Sequence, residues 1–230
     1  PRKIIEAIQD FGITNMFGSP ALIDRVGRYG QKRGVKLPTL RRVIAAGAPM
    51  PPAVLARFCA MLSPEAQVHT GYGATEAMPV SSIGSHEILN DTRYETDAGK
   101  GVCVGKPVDG MRVSVVPITD RPIPFWNDSL TLPVGEVGEI AVKGPVATRS
   151  YYKQESATRL AKIYEENQES FWHRMGDLGS LDEQGRLWFF GRKFHRVVTP
   201  SGTHFTIACE GVFNTHPKVF RTALTGVKIG

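Results

Sequence analysis

QVHTGYGATE, residues 67–76, starts as a strand and ends in two glycines, a tyrosine, a threonine and a glutamate. What precedes it sets the fold. Upstream, ITNMFG (13–18) and RRVIAAGAP (41–49) also read as strands, the first short and buried, the second stopped at Gly47. Helical patterns separate the three. Ile4, Ile5, Ile8 and Phe11 recur at helical spacing. SPALIDRVGRYGQKRG (19–34) opens with Ser19 as N-cap and Pro20 at the first helical position, then repeats Leu22, Ile23, Val26 and Tyr29. MPPAVLARFCAML (50–62) places Val54, Leu55, Phe58 and Leu62 inward. Strands joined by helices pair in parallel through right-handed crossovers, so their exits share one edge. Those exits are GSP (18–20), AGAP (46–49) and GYGATE (71–76). Ligands of open α/β sheets sit outside the carboxyl ends of strands, which makes this edge the expected binding crevice.

Past residue 100 the pattern changes. GVCVGKPVDGMRVSVVPI (101–118), GEVGEIAVKGP (135–145) and GRLWFFGR (185–192) are short strands broken by glycine and proline, with helical periodicity returning only over 154–168. Residues 120–134 read as a surface excursion and DEQG (182–185) as a hairpin turn. A further change falls at GRKFHR (191–196), a hinge followed by a basic strand-turn-helix-strand pattern. The expected fold is α/β: a parallel α/β subdomain (1–100), a β-rich barrel-like subdomain (101–190), and the start of a small α+β C-terminal domain (191–230).

At 230 residues and 41% hydrophobic composition the chain can bury a sizeable core. It holds no transmembrane run and its first residues lack a secretory signal, so cytoplasm is the expected location. Cys59, Cys103 and Cys209 are odd in number and far apart, which suggests neither a disulfide framework nor a C-x-x-C site. The net charge of +6 and pI near 9.3 raise nucleic acid as a partner. Six Lys/Arg against one acid fall in 191–230, and Arg25, Arg28, Lys32, Arg33, Lys36, Arg41 and Arg42 form a second cluster. Neither carries interleaved aromatics or a helix-turn-helix or zinc-finger spacing, so both read as solvated faces and no nucleic-acid partner is expected.

Chemistry concentrates in two places. Gly71 and Gly73 let backbone approach a flat or phosphate-bearing ligand and tolerate positive φ, and Tyr72 offers a ring face. The Thr75 hydroxyl can donate to a phosphate oxygen, and Glu76 can hold Mg²⁺, a cation that takes one or two carboxylates plus substrate oxygens. The plain alternative is a turn capped by Thr75 beside a solvated glutamate. In HRMGDLGSLDEQGRLWFFGRK (173–193), Asp177 has two acceptor oxygens that suit a ribose diol, and Arg192 can reach the same sugar or a phosphate. A turn aspartate and a strand-end arginine are the plain alternative here.

GYGATE, GEVGEIAVKGP, GDLGSLDEQGRLWFFGR and EGVFNTHP, in this order and spacing, resemble the adenylate-forming superfamily of acyl-CoA synthetases, luciferases and peptide-synthetase adenylation domains. The resemblance covers essentially the whole chain. It implies that Gly47, Ala48 and Pro49 line an adenine on which Tyr72 stacks, that Thr75 contacts the α-phosphate, and that Glu76 holds Mg²⁺. It also implies that Asp177 binds the ribose and Arg192 ribose or phosphate. ATP/AMP and Mg²⁺ are the implied cofactors, and the implied reaction joins a carboxylate to AMP with release of pyrophosphate. The superfamily's phosphate loop and C-terminal catalytic lysine have no match, so residues 1–230 alone are expected not to turn over. Where the superfamily usually carries Asp or Lys two residues after the linker arginine, and often Asp next, this chain has Phe194 and His195.

FGSPAL, HRMGD, GRLWFFGRK and VFNTHPKVFRTALTGV look more like the bacterial olefin-biosynthesis β-lactone synthetases. That branch implies a 2-alkyl-3-hydroxy fatty acid, adenylated and then closed by its own hydroxyl without a thiol, with other olefin-pathway enzymes as candidate partners. His195 is a candidate base for that hydroxyl. A fatty acyl-CoA ligase, which would consume CoA, and a carrier-protein-loading adenylation domain are the rival readings.

Overall fold

The computed structural model describes residues 1–166 and 169–227, which fall into two compact units. Residues 1–72 and 82–93 form one unit, and residues 73–81 and 94–227 the described part of the other.

In the first unit, α1 (Arg2–Asp10) leads to β1 (Asn15–Gly18), α2 (Pro20–Lys32), β2 (Arg42–Ala45), α3 (Pro52–Cys59) and β3 (Gln67–Ala74). The three strands are parallel as the alternating pattern requires. Gly18 stands beside Ala45, and Ala45 beside Thr70, so their exits align in one row. Ser19 caps α2 by accepting from the Leu22 N–H at 3.3 Å, with Pro20 directly behind it. The buried Ile23 and Val26 face inward together with Gly27 and Gly30. A Cβ on Gly30 would stand 2.2 Å from Met61 Cε, so glycine is what lets α2 approach the turn that follows α3. Asp24 ties the two helices through Arg57 at 2.6 Å.

Two expectations need correction here. The first strand is not buried: β1 is an edge strand and Phe17 is 70% exposed. Phe11 likewise faces out, because α1 ends at Asp10 and Phe11 serves as its C-cap.

The chain leaves the first unit inside β3, after Tyr72, and re-enters it inside β4 (Ala77–Gly84). The helical run α4 (Ser85–Glu87), a π-helical turn (Ile88–Thr92) and α5 (Arg93–Asp97) follow. The second unit continues with β5 (Val102–Pro107), β6 (Arg112–Val116), β7 (Gly138–Lys143), α6 (Glu155–Ala161), β8 (Lys162–Tyr164), β9 (Phe171–Leu181) and β10 (Leu187–Arg192). Antiparallel pairing gives the order β5-β10-β9-β7-β6, with β8 also on β9. Bulges interrupt three of these ladders, and the sheet stays open, with no closed barrel among the described residues. The turn after β9 is stitched by Asp182, which accepts from the Gln184 and Arg186 N–H groups at 3.0 and 2.9 Å and from the Trp188 indole at 2.9 Å.

Helical periodicity over 154–168 was expected; the helix stops at Ala161 and β8 takes over, while residues 167–168 lie outside the described chain. The 120–134 stretch is more than a surface excursion. Trp126 stacks on the buried Trp172 with ring centroids 4.2 Å apart, and Ile123 and Leu130 pack against the same cluster of Val116, Ala141 and Ile163.

One charged cluster crosses this core. The Arg174 guanidinium, 2% exposed, donates to Glu139 Oε2 at 2.5 and 3.1 Å and to the carbonyls of Thr119, Arg121 and Leu160. Lys193 adds a contact to the same Glu139 oxygen at 3.2 Å.

Beyond β10 come a 3-10 turn (Lys193–His195), the hairpin β11 (Val197–Thr199) and β12 (Gly202–His204), and α7 (Thr206–Asn214). Strand, turn and helix appear as expected. No closing strand forms over 215–227, and residues 228–230 lie outside the described chain.

Candidate active site

In the first unit Gly47, Ala48 and Pro49 follow the end of β2, while Gly71 and Tyr72, expected at a strand exit, lie within β3, which runs on to Ala74. Gly47 has φ +97°, a conformation that side chains resist, and a Cβ built there would meet nothing within 4 Å. Gly71 is different: its φ is not positive and it lies in the extended part of β3, yet an added Cβ would again stand in open space. Neither glycine is demanded by packing against this chain.

The second unit holds Gly73, Thr75, Glu76, Asp177 and Arg192. Gly73 does not adopt positive φ, and a Cβ there would lie 2.7 Å from the Ala77 carbonyl oxygen, so packing within this chain already calls for a glycine. The sharp return of the chain into β4 explains that glycine. Thr75 sits exposed in the turn, and Glu76 beside it is half-buried.

Two groups from one distant segment hold Glu76. The Tyr151 hydroxyl donates to Glu76 Oε1 at 2.9 Å, and the Thr148 N–H donates to the Glu76 carbonyl at 2.8 Å. The segment is itself fixed: Lys162 Nζ donates to the Thr148 carbonyl, and the Tyr151 N–H donates to Thr158 Oγ1 at 3.0 Å. Lys162 and His173 face each other across the β8–β9 ladder, with Nζ 3.0 Å from Nδ1, and both are buried.

Burial governs the protonation of this group. It would raise the Glu76 carboxyl, but the residue's own backbone N–H, the Tyr151 hydroxyl and the nearby His173 and Lys162 outweigh it and hold Glu76 below the usual carboxylate range. Tyr151 is pushed up to about 12 by burial and by its bond to Glu76, so it remains a donor. Lys162 is lowered to about 8 by burial, against the pull of Glu76. His173 falls to about 4, through burial and then the charge of Lys162. A neutral His173 that accepts at Nδ1 carries its proton on Nε2.

Asp177 and Arg192 are direct neighbours across the β9–β10 ladder, and Arg192 Nη1 lies 3.1 Å from Asp177 Oδ1. The carboxylate is 4% exposed and the guanidinium 49%, so the pair presents a buried acid through a half-exposed base. His195, the candidate base, sits exposed in the 3-10 turn with its ring against Phe194.

The donor set around Glu76 suits Mg²⁺. It is a single ionised carboxylate, and among the described residues no group of three or more His, Cys, Asp or Glu could cage a metal. Mg²⁺ keeps its waters and takes one or two carboxylates with substrate phosphates, whereas Zn²⁺ wants a closed nitrogen or sulfur shell.

Tyr151, Lys162 and His173 escaped the sequence reading. Lys162 stands at the end of a helical pattern, where a lysine reads as solvated, and His173 shares its stretch with the more conspicuous Asp177. In FWHRM, His173 shares the period-2 face of Phe171 and Met175, which was the one available signal of a buried imidazole. No helix among the described residues is long and apolar enough to cross a membrane.

The sequence profile of the AMP-binding enzyme family matches residues 1–152. The chain is 48% identical to an olefin β-lactone synthetase of Xanthomonas campestris pv. campestris, over 99% of this chain and 40% of that protein. It is 30% identical to a long-chain-fatty-acid–CoA ligase of Thermus thermophilus, over 99% of this chain and 39% of that one. The chain thus spans about two fifths of the length of these curated relatives. Among solved structures, o-succinylbenzoate coenzyme A synthetase from Bacillus subtilis, in complex with ATP and magnesium, shares the fold with a TM-score of 0.75 at 20% identity, over 99% of this chain and 42% of that one.

Proposed function

Since the chain belongs to the AMP-binding enzyme family, we propose that it is part of an ATP-dependent enzyme that adenylates a 2-alkyl-3-hydroxy fatty acid and closes it to a β-lactone. The observation that carries this reading is the 48% identity to an olefin β-lactone synthetase over nearly the whole chain. The enzyme is expected to act in the cytoplasm with other enzymes of olefin formation.

In the first step a carboxylate oxygen of the acid attacks the α-phosphorus of ATP, and the bond to pyrophosphate breaks. Gly47, Ala48 and Pro49 line the adenine and Tyr72 stacks on it. Gly71 keeps the neighbouring backbone clear. Thr75 donates its hydroxyl to the α-phosphate, while Asp177 accepts from the ribose hydroxyls and Arg192 contacts ribose or phosphate. Glu76 is the residue that would hold Mg²⁺, which supplies charge neutralisation at the phosphates when bound. The chain contributes positioning and fixed charge, the two devices on which phosphoryl chemistry depends.

In the second step the C3 hydroxyl oxygen attacks the acyl carbon, its proton passes to solvent, and AMP leaves with the electron pair of the broken acyl–oxygen bond. No external thiol enters, which agrees with Phe194 and His195 in place of the usual Asp or Lys and the Asp that often follows it.

The test uses the intact protein that contains this sequence, supplied with ATP, Mg²⁺ and a 2-alkyl-3-hydroxy fatty acid and no CoA. Mass spectrometry is expected to show the acid minus water, with pyrophosphate released. An adenylate that persists until CoA is added and then becomes a thioester would instead make it an acyl-CoA ligase.

A further inference from the structure

The segment 148–151 touches Glu76 at both its carboxylate and its carbonyl, although it lies more than seventy residues along the chain. One such contact would be ordinary packing. Two contacts from a four-residue segment, one to the side chain and one to the main chain, leave Glu76 little freedom in either χ angles or backbone. The segment does not lean on Glu76 for its own order. Its carbonyl at Thr148 is held by Lys162, its N–H at Tyr151 by Thr158, and its carbonyl at Tyr151 by the Gln154 N–H at 3.2 Å. Lys162 is in turn seated against His173 on β9. The chain of contacts therefore runs from the sheet interior outward and ends at the Glu76 carboxylate.

We propose that Tyr151 is a positioning residue for Glu76: its hydroxyl fixes the carboxylate in the orientation that receives the Mg²⁺ of the nucleotide. This rests on Glu76 being the metal ligand of the proposed function. A carboxylate that carries a metal gains from a fixed partner on one oxygen, because the partner orients the ligand and removes the entropy of freezing it when the metal arrives. A tyrosine suits the task better than a lysine or arginine here, since it orients without adding a competing charge beside the cation.

The experiment measures binding apart from turnover. Mn²⁺ replaces Mg²⁺ in the intact protein with ATP present, and electron paramagnetic resonance reads the unbound ion. Tyr151→Phe, which deletes only the hydroxyl, is expected to weaken Mn²⁺ binding about tenfold. Excess metal should restore pyrophosphate release, with little change in kcat at saturation and a melting temperature near that of the parent. A purely structural role would lower the melting temperature and leave the Mn²⁺ midpoint in place. Glu76→Gln separates the two ideas. If it loses the Mn²⁺ site while Tyr151→Phe binds like the parent, the positioning role is wrong and the ligand assignment stands. If Glu76→Gln binds Mn²⁺ normally, Glu76 is no ligand and both fall. Should Tyr151→Phe fail to fold, Thr158→Ala loosens the Tyr151 backbone without touching Glu76. It is expected to weaken Mn²⁺ binding in the same direction but by less, and an unchanged midpoint there overturns the proposal.

Discussion

Replacing His173 by Asn isolates a pH dependence that this fold should carry. The imidazole is 2% exposed and its pKa drops from 6.5 to about 4 because burial, and then the charge of Lys162, disfavour its cation. The unfolded chain regains the ordinary value, so between pH 6.5 and 4 it binds more protons than the folded one. Stability is then complete above pH 6.5, falls as pH drops, and levels off below 4 as far as this residue is concerned. At about 1.4 kcal/mol per pH interval, the fall from 6.5 to 4.5 amounts to roughly 2.5 kcal/mol. The lowered carboxyls Glu76 and Asp182 begin to lose their contribution as pH falls through the ordinary carboxylate range, but both are present in the two proteins and drop out of the comparison. Lys162 titrates in another window: lowered from 10.5 to about 8, it makes stability rise between those values. Asparagine keeps an acceptor where Nδ1 stands but cannot titrate. Urea unfolding at pH 7 and 4.5 should show the parent losing about 2.5 kcal/mol more than His173→Asn does. His69, also lowered chiefly by burial, is present in both proteins and cancels. Equal losses in the two proteins would refute the claim that His173 is held neutral in the folded state.

Two further substitutions probe the second unit. Glu139→Ala strands the Arg174 guanidinium, 2% exposed, without its carboxylate, and should cost about 3–5 kcal/mol in denaturant unfolding; a loss under about 1 kcal/mol would mean the carbonyls of Thr119, Arg121 and Leu160 suffice. Gly191→Ala forces a side chain onto φ +118° with its Cβ 2.3 Å from Thr206 Oγ1, so a loss of about 1–3 kcal/mol and faster proteolysis around α7 are expected, and wild-type values for both would show that α7 can shift freely.

The parallel first unit was legible because its signals are local. Ser19 and Pro20 start a helix, Gly47 stops a strand, and the spacing of strands and helices leaves one topology. The contacts around Glu76 were not legible for the opposite reason. Tyr151 meets Glu76 through pairing of β8 with β9 and through the fixed course of residues 148–158, and nothing in either stretch alone announces the other. Phe11 and Phe17 misled through hydropathy, since an aromatic at a chain edge has the same letter as one in a core. The packing need at Gly73 was not legible either, since the Ala77 carbonyl that leaves no room for a Cβ comes from the return of the chain into β4. Asp177 and Arg192, read as reaching one ribose, are also direct cross-strand partners, a contact that the spacing of the two residues alone does not announce.

The sharing of Glu139 between Arg174 and Lys193 also constrains the order in which substitutions can accumulate in this lineage. Loss of Lys193 leaves Glu139 neutralised by a guanidinium that is itself anchored on three carbonyls, so position 193 can drift first. Loss of Arg174 leaves three carbonyls and a carboxylate facing one lysine, a configuration that selection would remove before Glu139 could change to match. Arg174 and Glu139 are therefore expected to be replaced together or not at all, with Lys193 the member that varies alone.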